Sequence, residues 1–519
     1  MKEKITNKTS STVMLVMIIT FAARFFGLFR EILVARYYGA SIYTDAYIVA
    51  NNIPTVLFDM IGQALLTSFI PMYSRIRQEK SVERANSFTI HLVSITIGIC
   101  MILVVLGEIY AEKVVFVFAS GYKGTVLNMT VEFSRILLPS LIAMTLVNLF
   151  TGYLQIYQKF IFPAVVPVIG NIIIICSLII SHYFDNIYFF VWGSLLGLLG
   201  QVAFLFPCVK KRGLFKGRLK IFEYDEYVLK LIPILVPVII GSAVNEVNAI
   251  IDRTMVSGLE TGTVSTLNYA YKIVSLVISV VITPLIAYMY PQFSAIAAKK
   301  EMDSYKKIVH TCINIVLVVI IPVMIFVFSF REIIIKVLFE RGNFDLLATM
   351  NTSNALACYA IGIIPIAIQQ LLIRILYAEQ NTVIPMFNGI VCAIVNVILN
   401  YILIRKFGFI GSALSTSIVA SLACIILIIA LRIKGIISFK IIMNYIIKNS
   451  IAGGIMGVFV IVTFNTILSK SSLGIKYFCI LIILVVTSLI LYLFIEKILR
   501  NDELTEQIEK IVKKRKHLI

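Results

Sequence analysis

LLTSFIPMYSRI, residues Leu65–Ile76, returns about 220 residues later as LIAYMYPQFSAI, residues Leu285–Ile296. Pro71 falls on Pro291, Tyr73 on Phe293 and Ser74 on Ser294. The same offset aligns FASGYKG (Phe118–Gly124) with FERGNFD (Phe339–Asp345). It also aligns YQKFIFPAV with EQNTVIPMF, placing Pro163 on Pro385. Chance similarity between apolar segments does not require one constant offset, so the chain reads as an internal duplication.

What is duplicated is a set of membrane spans. Of the 519 residues, 60% are hydrophobic, more than a soluble core can bury without exposing large apolar patches. Apolar runs of about 18 residues or more recur from end to end, and about fourteen spans can be marked. The lysines at 2, 4 and 8 precede a full-length apolar run with no small-residue cleavage site, so no removable signal is expected. The formal charge of +19 is a topology signal rather than a nucleic-acid footprint. Basic residues collect at Arg75–Arg84, Val209–Lys220, Lys299–Lys307, Arg432–Lys440 and Lys510–Lys516, while HYFDN and SGLETGT carry no Lys or Arg. Both termini are therefore expected inside the cell. The run at Lys210–Lys220 could also grip anionic lipid headgroups. The eight cysteines are scattered singly and form no metal or disulfide pattern, and no phosphate-cradling GxxxxGK[ST] loop occurs.

The fold class expected is an all-α polytopic membrane protein with two parallel six-helix repeats and two additional C-terminal helices. The boundaries read as 1–222, 223–436, 437–500 and a basic tail, 501–519. Even-numbered repeats insert the same way up, and two such bundles are a transporter architecture with its site between them.

Charge at membrane depth marks the candidate site. The first span carries Arg24, Arg30 and Glu31, with Arg24, Gly27 and Glu31 on one helical face. A charge at the bilayer centre costs at least ~3 kcal/mol, so it should meet a cavity or a partner. The second span sets Asp45, Asn52, Asp59 and Gln63 along one stripe. Asp45 reads as a cap of that span at the outer interface, not as a ligand. Span seven carries Asn245, Asn248 and Asp252, with Glu246 and Arg253 beside them; span eight carries Asn268, Lys272, Ser275 and Ser279. Span ten carries Gln370, Arg374 and Tyr377. A wet cavity bearing Arg24, Arg30, Lys272 and Arg374, partly countered by Glu31, Asp59 and Asp252, suits an anionic diphosphate headgroup. Salt bridges that only order helices are the plain alternative for Glu31, Asp252 and Arg253.

The words GLFRE, ARYYGAS, TDAY and SFIPMYS in the first half, and IIDRTMVSGL, LNYAYK, ERGNFD and NVILNYIL in the second, resemble the MurJ/MviN family of lipid-linked peptidoglycan precursor flippases. The resemblance implies fourteen helices with two six-helix lobes in a V-shaped arrangement. It implies transport of lipid II, undecaprenyl diphosphate bearing a disaccharide-pentapeptide, from the inner to the outer leaflet of the bacterial cytoplasmic membrane. It makes Arg24, Arg30 and Lys272 substrate-binding residues and the last two helices a groove for the polyprenyl tail; the polar faces add Glu31, Asp59, Arg374 and Asn52 to the candidate substrate-binding set. It also implies a sodium site, for which Asp252, Asn396, Asn400 and Thr416 offer oxygen ligands. Ordinary polar packing between helices competes for those residues.

The chain departs from the family where Phe58 and Asp59 follow Pro54 in place of an arginine pair, and where lysine stands at 272. A different undecaprenyl-diphosphate saccharide therefore stays open as cargo. A multidrug/cation antiporter of the same superfamily would want an acidic cavity. An intramembrane enzyme on lipid-linked sugars would need an acid or base, for which Asp59 and Glu246 are the candidates, without a supporting motif. No enzyme activity and no organic cofactor is expected. The expected partners are a lipid-linked anionic saccharide, membrane lipid and cell-wall synthesis proteins.

Overall fold

The computed structural model describes residues 2–216, 225–299, 301–468 and 475–499, and these are helical with no strand among them. Of the basic segments read as cytoplasmic, 217–220 and the tail 501–519 lie outside the described residues. The chain divides into two compact units. The first comprises Met1–Thr266 together with Phe339–Ala348. It holds α1 (Lys2–Tyr38), α2 (Ile42–Glu79), α3 (Val82–Ile109), α4 (Ala111–Phe118), α5 (Gly124–Leu137), α6 (Ser140–Ile156), α7 (Ile161–Tyr183), α8 (Tyr188–Lys211) and α9 (Glu226–Val256). The start of α10 (Thr263–Val277) also belongs to it. The second unit continues from Leu267 through a π-helical turn (Ile278–Ile282), α11 (Thr283–Lys299), α12 (Met302–Ser329) and α13 (Arg331–Leu338). It resumes at Thr349 with α14 (Leu346–Ala378), α15 (Val383–Phe407), α16 (Ile410–Ile433), α17 (Phe439–Thr463) and α18 (Ile475–Ile498).

Among the described residues, twelve helical segments are long and apolar enough to cross a membrane. α1 and α9, 37 and 31 residues long, lie outside that set. Length and apolarity thus support twelve of the fourteen spans read from the sequence.

The first unit is built around aromatic rings in its basic-loop half. Phe69, Tyr73, Phe88 and Tyr153 are fully buried, and Phe69 stacks on Phe88. The phenols of Tyr73 and Tyr153 both donate to Asn86 Oδ1, at 2.9 and 3.2 Å. Asn86 Nδ2 donates to Gly213 O at 3.2 Å, so one buried amide satisfies α2, α6 and the chain leaving α8. The second unit uses the same device. Asn449 of α17 donates to Asn314 of α12 at 3.2 Å and accepts from Tyr492 of α18 at 3.3 Å. Apolar burial contributes little between helices in lipid, and each such bond contributes about 0.6–1.7 kcal/mol. The two helices that fall outside the duplication are thereby fixed to α12.

Two histidines expose the duplication in three dimensions. His91 of α3 and His310 of α12 each turn Nδ1 to the carbonyl four residues back, at 3.2 and 2.7 Å. Each then faces the residue that caps the next long helix after its bundle. His310 Nε2 accepts from Ser438 N at 2.9 Å, and Ser438 caps α17. His91 lies 3.6 Å from Asp225, which caps α9 by accepting from Tyr227 N. Arg84 closes that joint with a two-bond fork onto Asp225, at 2.8 and 2.9 Å.

Asp225 gives a pH test. Burial raises its carboxyl, but the bonds from Arg84 and the Tyr227 N–H outweigh that and hold it below the usual carboxylate range. A depressed carboxyl contributes stability above the ordinary aspartate pKa of about 4, and that contribution is lost as pH falls through the folded value. Melting temperature in detergent should therefore fall below about pH 4, and Asp225→Asn should start lower and flatten that limb. An unchanged acid limb in the variant would refute the assignment.

Candidate functional site

α1 brings the cations to the site, and the structure separates their roles. Arg30 Nη2 meets Glu31 Oε1 at 2.7 Å, and Nη1 donates to Asn171 Oδ1 of α7 at 3.2 Å. Asn171 in turn donates to Ala23 O at 3.4 Å. Arg30 is therefore a partly buried, paired cation. Glu31, read from the sequence as sharing the face of Arg24, is its partner instead. Arg24 is exposed on α1 and makes no ion pair or hydrogen bond among the described residues. On α1 it is the arginine whose five donors are available, unlike Arg30. Asn171 was missed in the sequence, although a lone amide before four isoleucines is a recognisable signal.

The polar stripe of α2 also divides. Asn52 and Asp59 are partly buried. Asp59 lies within electrostatic reach of Glu246 on α9, as does Arg253. The side chains of Gln63, Asn245 and Asn248 lie outside the described residues.

Asp45 corrects the sequence reading. It does not cap its own helix, where Ser41 is the N-cap and its backbone N–H donates to the Thr44 hydroxyl at 2.9 Å. The Asp45 carboxylate is buried and accepts Gly262 N–H at 2.6 Å and Ser265 N–H at 2.7 Å. It caps α10, whose sequence position is 220 residues away. Segments from the second half of the sequence are thus built into the first unit at the ends of α1 and α2. Asn343 N donates to Arg36 O at 2.9 Å, and Asn343 Nδ2 to Tyr37 O at 2.5 Å. Gly121 N donates to Ser257 Oγ at 3.0 Å. These approaches run backbone to backbone. A Cβ on Gly121 would overlap the main chain of Gly258, and one on Gly342 would overlap Arg36 O.

In the second unit Lys272 is half-buried on α10, between one and two turns before the π-helical stretch. Pro284 supplies no N–H there, and π-turns recur at functional sites. Arg374 lines a cavity of about 680 Å³ between α11 and α14. The residues read as a cation site lie on α9, α15 and α16. Asn396 and Asn400 are buried on α15, but the hydroxyl that reaches Asn396 Oδ1, at 2.9 Å, belongs to Ser415. Thr416 turns to Ser412 O on its own helix, and Asp252 belongs to the first unit.

A duplicated set of membrane-crossing helices with charged side chains at mid-helix defines a polytopic membrane transporter. The chain belongs to the MurJ family: the family model described as lipid II flippase MurJ matches residues 34–495. A probable lipid II flippase MurJ of Buchnera aphidicola is 28% identical over 82% of this chain and 83% of its own length. The lipid II flippase MurJ of Burkholderia cenocepacia is 27% identical over 80% and 82%. A solved lipid II flippase MurJ in an inward closed conformation superimposes with a TM-score of 0.81 at 25% identity, covering 94% of this chain and 99% of that one. An inward-facing multidrug resistance MATE transporter of the MOP superfamily superimposes at 0.69 and 16% identity, covering 82% and 98%, which shows the shared fold.

The Asp45 cap can be checked directly. Asp45→Ala leaves two buried N–H groups without an acceptor, a cost of about 1–3 kcal/mol. Amide exchange of the 257–266 segment should accelerate about tenfold or more, while peptides from α12 and α17 keep wild-type protection. Equal acceleration in both places would mean general unfolding rather than loss of a local cap.

Proposed function

We propose that this protein is a lipid II flippase. It carries undecaprenyl diphosphate bearing the peptidoglycan building block from the inner to the outer leaflet of the bacterial cytoplasmic membrane, without altering it chemically. Membership of the MurJ family supports the cargo, and the unpaired guanidinium of Arg24 carries the reading. An exposed arginine in mid-helix is costly in lipid and is useful where an anionic headgroup must be received. Arg30, Lys272, Asn52 and Asp59 complete the receiving surface in this proposal. Arg30 is held in position by Glu31 and Asn171.

The mechanism proposed is alternating access with both termini inside the cell. The headgroup pairs with Arg24 while its polyprenyl tail stays in the bilayer, along α17 and α18. Release of the Asp45 cap on α10 would free the outer face. No nucleotide-binding loop is available, so the drive is an ion gradient or the membrane potential. Moving one negative charge outward across 100 mV, inside negative, gains about 2.3 kcal/mol. A sodium site around Asn396 and Asn400 is the proposed route for ion coupling.

The test uses the purified full chain in liposomes with labelled lipid II. Wild type should move unchanged substrate to the far leaflet, Arg24→Ala should lose at least about tenfold in rate, and Arg24→Lys should recover part of it. An inside-negative potential should speed outward movement. Wild-type protein that leaves lipid II in place would end the proposal. Chemically altered substrate would point to an enzyme, and insensitivity to both potential and sodium would remove the coupling mechanism alone.

A further inference from the structure

The cavity between α11 and α14 lies wholly within the second unit and is not used by the α1 arginines. Its polar lining comes from two helices. α14 supplies Gln370, Arg374 and Tyr377, spaced four and three residues apart and so on one face. α11 supplies Thr283 and Tyr290, two turns apart, above a floor that includes the buried Ile286. At about 680 Å³ the space is of the size that takes a diphosphate with an attached sugar.

Its charge is uncompensated. Arg374 is exposed and makes no ion pair or hydrogen bond among the described residues. α14 carries no acid, and Glu379, one residue beyond its end, is held by Lys434 at 2.9 Å. The guanidinium offers a planar fork that matches two phosphate oxygens, and Gln370 offers an amide donor one turn away. Tyr290 and Tyr377 present phenol hydroxyls and ring faces, which suit a sugar at a wet boundary. Depth agrees with this chemistry. Arg374 stands four residues before the end of α14 at Ala378, about 6 Å along the axis. With the orientation proposed above, that end is cytoplasmic, so the fork sits at the level of inner-leaflet phosphates.

We infer that this cavity is a docking subsite for the diphosphate and first sugar of the lipid-linked substrate, occupied on the cytoplasmic side before the headgroup reaches Arg24. The inference rests on the flippase reading and adds a loading step to it. The competing source of the same phosphate chemistry is ordinary anionic phospholipid, against which Arg374 would simply anchor the helix.

Binding and transport separate these. Native mass spectrometry of the full chain with undecaprenyl diphosphate, and in parallel with phosphatidylglycerol, reads the subsite directly. Arg374→Ala should lower retention of undecaprenyl diphosphate about fivefold to tenfold, with little change for phosphatidylglycerol, and Arg374→Lys should restore part of it. In the liposome assay Arg374→Ala should raise the half-saturating lipid II concentration more than it lowers the maximum rate, whereas Arg24→Ala should lower the rate itself. An unchanged melting temperature guards against a folding defect, and Gln370→Ala should shift diphosphate retention in the same direction. Equal losses for both lipids, or wild-type retention in Arg374→Ala, would overturn the subsite. Failure of wild-type protein to move lipid II would overturn the flippase reading while the binding arm still judged the cavity.

Discussion

Much of the first unit depends on one buried carboxylate. Asp45 collects two main-chain N–H groups from the start of α10, and by doing so fixes a helix from the other half of the sequence to the end of α2. A helix start has N–H groups with no partner of their own and a positive field, so a carboxylate is the natural cap. Here the cap comes from a helix start at the equivalent place in the duplication. Position 45 falls on Ser265 at the offset of the duplication, so an acid in one copy meets the backbone of its counterpart in the other. The bond is therefore both a structural cap and a link between the copies.

Charge in the α1 region is managed in two ways. Arg30 is enclosed by an acid and an amide, which offsets its desolvation and holds its orientation. Arg24 is left open. A paired cation stays ordered with nothing bound, while an open one on the same helix keeps a free fork. The second unit repeats the pattern at Arg374, whose neighbouring acid is occupied elsewhere. In neither place would an incoming diphosphate have to break an ion pair first.

The fold was legible because lipid simplifies the code. Long apolar runs, basic loops and words repeated at one offset are readable without tertiary knowledge, and they led to the helices and the duplication. The kinds of residue at the site were legible for the same reason, since a charge in an apolar run stands out. Partners were not. Glu31 and Arg30 are consecutive and so about 100° apart on the helix, and a reading by faces sends them to different neighbours. Flexible side chains closed that gap. Asp45 looked like the cap of the helix it begins, because nothing local announces a second helix start arriving from 220 residues away. Ser415 rather than Thr416 bonds Asn396, since residue spacing alone does not say which of two neighbouring hydroxyls faces α15.

The glycines at 121 and 342 carry a consequence for motion. Main chain lies close to main chain at both places, and at Gly342 the stem of Arg36 lies beside it. A joint of that kind orders few side chains when it forms, chiefly Asn343 and Ser257. Its resistance to separation comes from a handful of hydrogen bonds, all of which water can replace. Such a seam is tight when shut and light to part, like a pair of flat plates rather than a gear.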